Sequence, residues 1–187
     1  RTSLLIYSYR QKLLEQKLDT VISQEEVQRY YEENQGNFVL NEDVVKASYV
    51  KVPLTSPNIS SVRMWSRAGT DEDLDNLEKY SIQYADKFDT FNNQWIYINM
   101  ILNEIPFRTS RVSDYLRYNR NIETSDSAYH YFVHIFDHKP AGEIAPIELI
   151  DEDIRSILLN KRKIEFYQDL ERQVYNEGVN RNQFEIY

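Results

Sequence analysis

The sequence predicts an α+β fold in which helices from both ends of the chain form one lobe and a small α/β lobe is inserted between them. Apolar residues recur at steps of three and four in the first forty residues and again after residue 150, as in one-sided helices. In the middle, β-branched and aromatic residues alternate with the period of strands. We expect residues 1–42 and 143–187 to form the helical lobe and residues 43–142 the inserted lobe.

The composition limits the function classes. The chain has 187 residues, of which 41% are hydrophobic and 28% charged, the balance of a globular protein. A net charge of −8 argues against a nucleic-acid partner, because phosphate binding needs a basic surface. No run of about 18 apolar residues is present, so no membrane span is expected. The chain contains 15 Tyr, which suit recognition of other chains but equally fill half-buried positions.

Two helices are predicted at the N-terminal end. A helical stripe of apolar residues covers Ser3 to Asp19. The second helix begins after Ser23, which forms a capping box with Glu26, and it ends near Asn34 to Gly36.

The inserted lobe is predicted to mix strands and helices. Thr70 is the expected N-cap of its longest helix, whose first turn is acidic and whose inner face runs from Leu74 to Phe88. The other expected elements are a strand over 44–52, a helix over 59–67, a strand over 95–99, a helix over 112–118 and a strand over 129–136.

The longest predicted helix closes the chain, from about Asp151 to Asn176, with Gly178 as the expected stop. Its expected buried residues are Ile154, Ile157, Leu158, Ile164, Tyr167, Leu170 and Val174.

No metal or cofactor site is predicted. His130, His134 and His138 are spaced by four, but on a strand neighbouring histidines would lie roughly 13 Å apart, too far to share one ion. The acidic clusters each open a predicted helix, where the helix dipole accounts for them. The four Gly are scattered and cannot form a phosphate-binding loop, and no Cys is present to bind a metal or act as nucleophile.

Several short motifs, in order, resemble the SurA-type and PpiC-type periplasmic folding factors, which carry a parvulin-like (rotamase) peptidyl-prolyl cis-trans isomerase domain. The capped helix with Tyr30-Tyr31 looks like the helix that precedes that domain. The segment 46–50 is similar to the first parvulin strand, 122–124 with 128–133 to its closing hairpin, and 139–142 to its exit. The resemblance covers most of the chain from Ser23 to Gly178.

The resemblance implies a degenerate isomerase pocket. His130 matches the family's second histidine and Thr124 its threonine, while Tyr49 stands where the first histidine is expected. Asn92-Asn93-Gln94-Trp95 stands near the place of the family's glycine-rich turn. Tyr97, Tyr129, Phe132 and Trp95 are the expected peptide-binding residues. The structural alternatives are a strand histidine satisfied within the sheet for His130, and packing of a small sheet core for Tyr49 and the aromatic residues.

Three functions are compatible with these residues. The first is an exported chaperone that binds unfolded or nascent exported polypeptides, with a parvulin-like lobe that is weakly active or inactive. The second is an active prolyl isomerase, and the third a Tyr-rich envelope protein that binds partners or glycans. The absence of Cys fits an oxidising compartment, so we expect the periplasm or cell envelope. Because the sequence begins at Arg1, a signal peptide or a lipoprotein anchor would lie outside it.

Overall fold

The computed structural model describes residues 17–180 and has the α+β class that the sequence predicts. Within it, residues 34–149 form one compact α/β unit. Residues 17–33 and 150–180 belong to a second, helical unit. The helix predicted over residues 3–19 falls almost entirely outside the described residues. No helix in the described part of the chain is both long and apolar enough to cross a membrane.

The α/β unit is built on an antiparallel sheet of five strands, in which β1 is central. The strands are β1 (Val44–Pro53), β2 (Lys87–Asp89), β3 (Ile96–Tyr97), β4 (Asn121–Ser125) and β5 (Tyr129–Lys139). The order is β2-β1-β5-β4, and β3 pairs with the beginning of β1. Strand β1 and the β4–β5 hairpin therefore lie side by side. Strands β1 and β5 occupy segments that the sequence predicts as strands, and β4 lies where the resemblance implies the first arm of a hairpin.

Both faces of the sheet are covered, so residues on both sides of β1 are buried, Ser48 among them. The first face carries Ala47, Tyr49, Tyr131 and Val133 and packs on the segment 96–116. The second face carries Val50, Val52 and Phe132, which pack on α2 (Ile59–Ala68) and α3 (Asp71–Tyr84). The alternation of side chains along a strand assigns each residue from 129 to 135 to one face or the other, up to a bulge at Phe136.

Helices are present over the three segments of the α/β unit where they are predicted, namely 59–67, the residues after Thr70, and 112–118. Thr70 caps α3, since its Oγ1 accepts a hydrogen bond of 3.2 Å from the backbone N–H of Asp73. The strand predicted over 95–99 is shorter in the structure, because β3 ends at Tyr97 and the short α4 (Asn99–Leu102) begins at Asn99. Helix α5 is Val112–Tyr118. Phe88, predicted on the inner face of α3, lies instead on β2, because the helix ends at Tyr84.

The closing helix, α6 (Ile147–Asn180), is longer than predicted. Gly178 lies within it rather than beyond its end, since a helix tolerates an interior glycine at a cost of about 1 kcal/mol. Ile154 is fully buried as predicted. The prediction that Ile157, Ile164 and Val174 are buried is wrong, because these side chains are 39%, 57% and 60% exposed.

Two arginines of α6 bind the segment that leads into α1 (Gln24–Glu33). Arg155 donates to the backbone carbonyl of Ile22 at 2.6 Å, and Arg162 to that of Val21 at 2.7 Å and to the Glu26 carboxylate. The predicted capping box is present: the N–H of Ser23 donates to Glu26, and Ser23 Oγ accepts from the N–H of Glu26. These bonds lower the pKa of Glu26 to about 2, with the backbone bond from Ser23 as the largest cause.

Replacing Ser23 by alanine is expected to lower the free energy of unfolding of the helical unit by about 1 kcal/mol. The variant loses the acceptor for the N–H of Glu26, and Glu26 loses the Ser23 hydroxyl as one of its partners. Urea unfolding followed by far-UV circular dichroism measures the change. Gln28→Ala, which removes a surface bond to Glu32, is the matched control and should change stability by less than about 0.5 kcal/mol.

Candidate functional site

Tyrosines from two neighbouring strands lie on the first face of the sheet. Tyr49 on β1 is paired with Val133, and Lys51 on the same face is paired with Tyr131 on β5. Tyr131 in turn is paired with Thr124 on β4. Tyr49, Thr124 and Tyr131 therefore project from the same side of three adjacent strands. We call this group, with Lys51 and Tyr129, the tyrosine face.

The hydroxyl of Tyr49 is the unusual atom of the tyrosine face. The side chain is 1% exposed, and its Oη has no hydrogen-bond partner among the described residues. Burial, with the negative charge of Glu104 nearby, raises the pKa of Tyr49, so the hydroxyl stays protonated and can donate. A buried hydroxyl without a partner costs about 1–3 kcal/mol.

At the open end of the tyrosine face, aromatic rings meet charged groups. Tyr131 Oη donates to Asp126 Oδ2 at 2.6 Å, a bond that lowers the pKa of Asp126 and raises that of Tyr131. Lys51 Nζ lies 4.1 Å from the ring centroid of Tyr129 and 2.8 Å from Asp86 Oδ2. Tyr129 is half-buried, so part of its ring is accessible beside the ammonium group.

His130 lies on the opposite face of the sheet from Tyr49 and Thr124. Its strand partner is Val52, which belongs to the second face, and its ring lies 6.1 Å from that of Phe132. His134, four residues after His130, is on the same side. The structure therefore brings Tyr49 and Thr124 together with Tyr131 and does not bring His130 to them.

The four aromatic residues predicted to bind peptide are not assembled into one surface. Phe132 is 3% exposed in the core of the second face, and Trp95 is 8% exposed with Lys46 Nζ 5.4 Å from its ring centroid. Tyr97 is 37% exposed on β3. Of the four, Tyr129 alone belongs to the tyrosine face.

The segment 91–93 forms a turn with an unusual backbone. Phe91, Asn92 and Asn93 all have left-handed backbones, with φ of 52°, 52° and 57°. Asparagine adopts this region more readily than other non-glycine residues, since its short side chain bonds locally. The two asparagines thus account for a sharp turn where the sequence contains no glycine.

A second polar group, which the sequence does not predict, is buried at the start of β1. Asp43 is 5% exposed and accepts hydrogen bonds from Ser113 Oγ at 2.5 Å and from the N–H of Ala141 at 3.1 Å. His138 Nε2 lies 2.7 Å from its second oxygen. Burial alone would raise the pKa of Asp43, but these hydrogen bonds outweigh it and hold the pKa below its ordinary value. Ser113 and His138 are each bonded to Asp43 and not to one another. The three residues therefore hold segments of the fold together and are not arranged as a nucleophile and its base.

The described residues contain no cluster of three or more acidic or histidine side chains arranged to hold a metal ion. His138 is engaged with Asp43, and His134 Nδ1 lies 2.8 Å from Asn121 Oδ1.

No family model matches the chain, and no curated protein matches it. Among solved structures, the chain is similar to a Campylobacter jejuni protein from a study of the virulence factor PEB4 and the periplasmic protein Cj1289, described there as SurA-like chaperones. The identity is 13% and the TM-score 0.35, over 100% of this chain and 71% of the other. A TM-score of this size does not establish a common fold.

Proposed function

We propose that this chain is a folding factor whose α/β unit binds unfolded or proline-containing polypeptide with little or no isomerase catalysis. The observation that carries the proposal is the open end of the tyrosine face, where the half-buried ring of Tyr129 is accessible beside Lys51 Nζ. The segments around Tyr49 and Thr124 resemble those of a parvulin pocket. This resemblance supports placing the polypeptide site on the same side of the sheet.

The chemistry of this face suits weak and broad recognition of polypeptide. An aromatic ring such as Tyr129 supplies apolar contact area with little conformational entropy to lose, and proline rings pack well on such surfaces. Lys51 can donate to a peptide carbonyl and Asp126 can accept from a peptide N–H. These contacts need no particular side-chain sequence in the ligand.

The same chemistry argues against efficient isomerisation. The reaction twists an X-Pro amide against a barrier of about 18–20 kcal/mol, which a pocket lowers by removing water and favouring the non-planar form. The parvulin pair of histidines has no counterpart beside Tyr49: His130 is on the other face, and Tyr131 is bonded to Asp126.

We further propose that the chain acts in the periplasm or cell envelope, on unfolded or nascent exported polypeptides. The lack of Cys supports an oxidising compartment. The helical unit, chaperone-like by the same resemblance, would offer a second polypeptide-binding surface.

Replacing Tyr129 by alanine is expected to weaken binding of a proline-containing peptide about tenfold, the effect of removing a central aromatic contact. Binding is measured by fluorescence anisotropy of a labelled peptide of the type Ala-Leu-Pro-Phe. His130→Ala is the matched control, since it removes a ring from the neighbouring position on the opposite face. Its peptide affinity should stay within about twofold of the wild type.

A cis/trans isomerisation assay on the same peptide separates binding from catalysis. We expect no acceleration above the buffer rate. Catalysis that His130→Ala abolishes would contradict the proposal and support an active isomerase that uses the second face. Loss of peptide binding in His130→Ala but not in Tyr129→Ala would equally contradict it.

A further inference from the structure

A second candidate binding surface lies on the other side of the sheet, between α3 and β2. It is a surface groove of about 250 Å³, lined by Asp71, Leu74, Asp75, Glu78, Phe88 and Thr90. All six residues belong to the α/β unit. None of them is part of the tyrosine face, because Phe88 packs with the core of the second face.

One wall of this groove is an edge strand. β2 stands at the end of the sheet order and, among the described strands, pairs with β1 alone. An edge strand leaves a row of backbone N–H and C=O groups without ladder partners, which is a template for a further strand. Peptide-binding domains of the strand-addition type use such an edge with a helix beside it.

The other wall is one stripe of α3. Asp71, Leu74, Asp75 and Glu78 are spaced by three and four, so they share a face of the helix. Leu74 and Phe88 are half-buried and form an apolar floor, while the three carboxylates are exposed along the rim. Ile82, four residues beyond Glu78, continues the stripe and is 83% exposed.

The rim is strongly negative. Lys79 pairs with Asp75 on the surface, and no lysine or arginine in the described part of the chain forms an ion pair with Asp71 or Glu78. The field at the groove thus favours lysine or arginine side chains, and its apolar floor favours an aliphatic or aromatic one.

We propose that this groove binds an extended basic segment of another polypeptide, which adds a strand to β2. Its backbone pairs with the β2 edge. Every second side chain of the added strand then faces α3, so lysines or arginines at these positions reach its carboxylates while their aliphatic stems pack on the floor of Leu74 and Phe88. The surface is distinct from the tyrosine face, so the two can be occupied or disabled separately.

The test uses the full chain and a fluorescein-labelled ten-residue peptide of alternating lysine and valine. Anisotropy is measured in about 50 mM salt, where screening is weak. The triple variant Asp71→Asn, Asp75→Asn, Glu78→Gln is expected to weaken binding about tenfold. The control triple Glu72→Gln, Glu143→Gln, Glu148→Gln removes the same charge from exposed positions outside the groove and should weaken it less than about twofold.

Strand addition is tested by a peptide with proline at every valine position, which keeps the lysines but removes the N–H groups that would pair with β2. We expect it to bind at least tenfold more weakly than the alternating peptide. Amide resonances of residues 87–89 should shift on titration of the alternating peptide, and those of residues 126–131 should not.

Three results would overturn the proposal: equal weakening by the two triple variants, equal binding of the proline peptide, or self-association of the chain that occupies β2 and excludes the peptide. Tyr129→Ala should leave this binding unchanged. Failure of the tyrosine-face proposal therefore leaves the groove proposal intact, and the reverse also holds.

Discussion

Asp43→Ala is expected to lower the free energy of unfolding of the α/β unit by about 3 kcal/mol. The variant leaves Ser113 Oγ and the N–H of Ala141 without their acceptor in a buried site. His138 also loses its partner at 2.7 Å. Both tryptophans of the chain, Trp65 and Trp95, lie in this unit, so urea unfolding followed by tryptophan fluorescence measures the change directly.

The contribution of Asp43 to the free energy of unfolding decreases as the pH falls. Its pKa in the folded protein is below the ordinary 3.8, so the unfolded chain takes up the proton first as the pH falls. The stabilisation is complete above about pH 5 and is lost as the pH falls through the folded-state pKa. Asp43→Asn should therefore show a smaller loss of stability between pH 5 and pH 3 than the wild type does.

Asp114→Asn is the matched control, because Asp114 lies on α5 beside Ser113 but its ion pair with Arg111 is exposed. It should change the free energy of unfolding by less than about 0.5 kcal/mol. If Asp43→Ala is no more destabilising than this control, Asp43 does not tie the start of β1 to α5 and to the residues after β5.

Gly69→Ala is expected to cost about 2–4 kcal/mol of stability. Gly69 ends α2 with a left-handed backbone, φ 64°, which alanine adopts only with strain. An added Cβ would lie 2.5 Å from His134 Nε2. The His134 ring cannot move aside freely, because Nδ1 is 2.8 Å from Asn121 Oδ1 and the ring packs edge-on against Phe136.

Two other glycines separate backbone strain from steric overlap. Gly142 has a left-handed φ of 89°, and a Cβ added there would meet no atom within 4 Å. Gly142→Ala should therefore cost about 1 kcal/mol of stability, from backbone strain alone. Gly36→Ala has neither constraint and should be close to neutral. Equal losses for Gly69→Ala and Gly142→Ala in urea unfolding would show that the contact with His134 carries no energy.

The elements of the fold could be predicted because their signals are local. The capping box at Ser23, the N-cap at Thr70 and the alternation along β1 each depend on residues close in sequence. The end of α6 could not be predicted, because Gly178 costs a helix little when the residues around it remain helical.

The candidate site was harder to predict because it depends on strand register. Motif matching placed His130 with Thr124, whereas the hairpin pairs Thr124 with Tyr131. A difference of one residue moves a side chain to the other face of a sheet. The Asp43 group was missed for a different reason: its members are 70 and 95 residues apart, and no local pattern connects them.

The bonds from Arg155 and Arg162 to the segment before α1 set an order for folding during synthesis. Arg155 and Ile22 are 133 residues apart in the chain, so the helical unit lacks this bond until Arg155 has left the ribosome. The α/β unit needs only residues 34–149 and can form while α6 is still being made. During that interval residues 21–26 remain without the two arginines, and a holding chaperone would have its opportunity to bind this protein there.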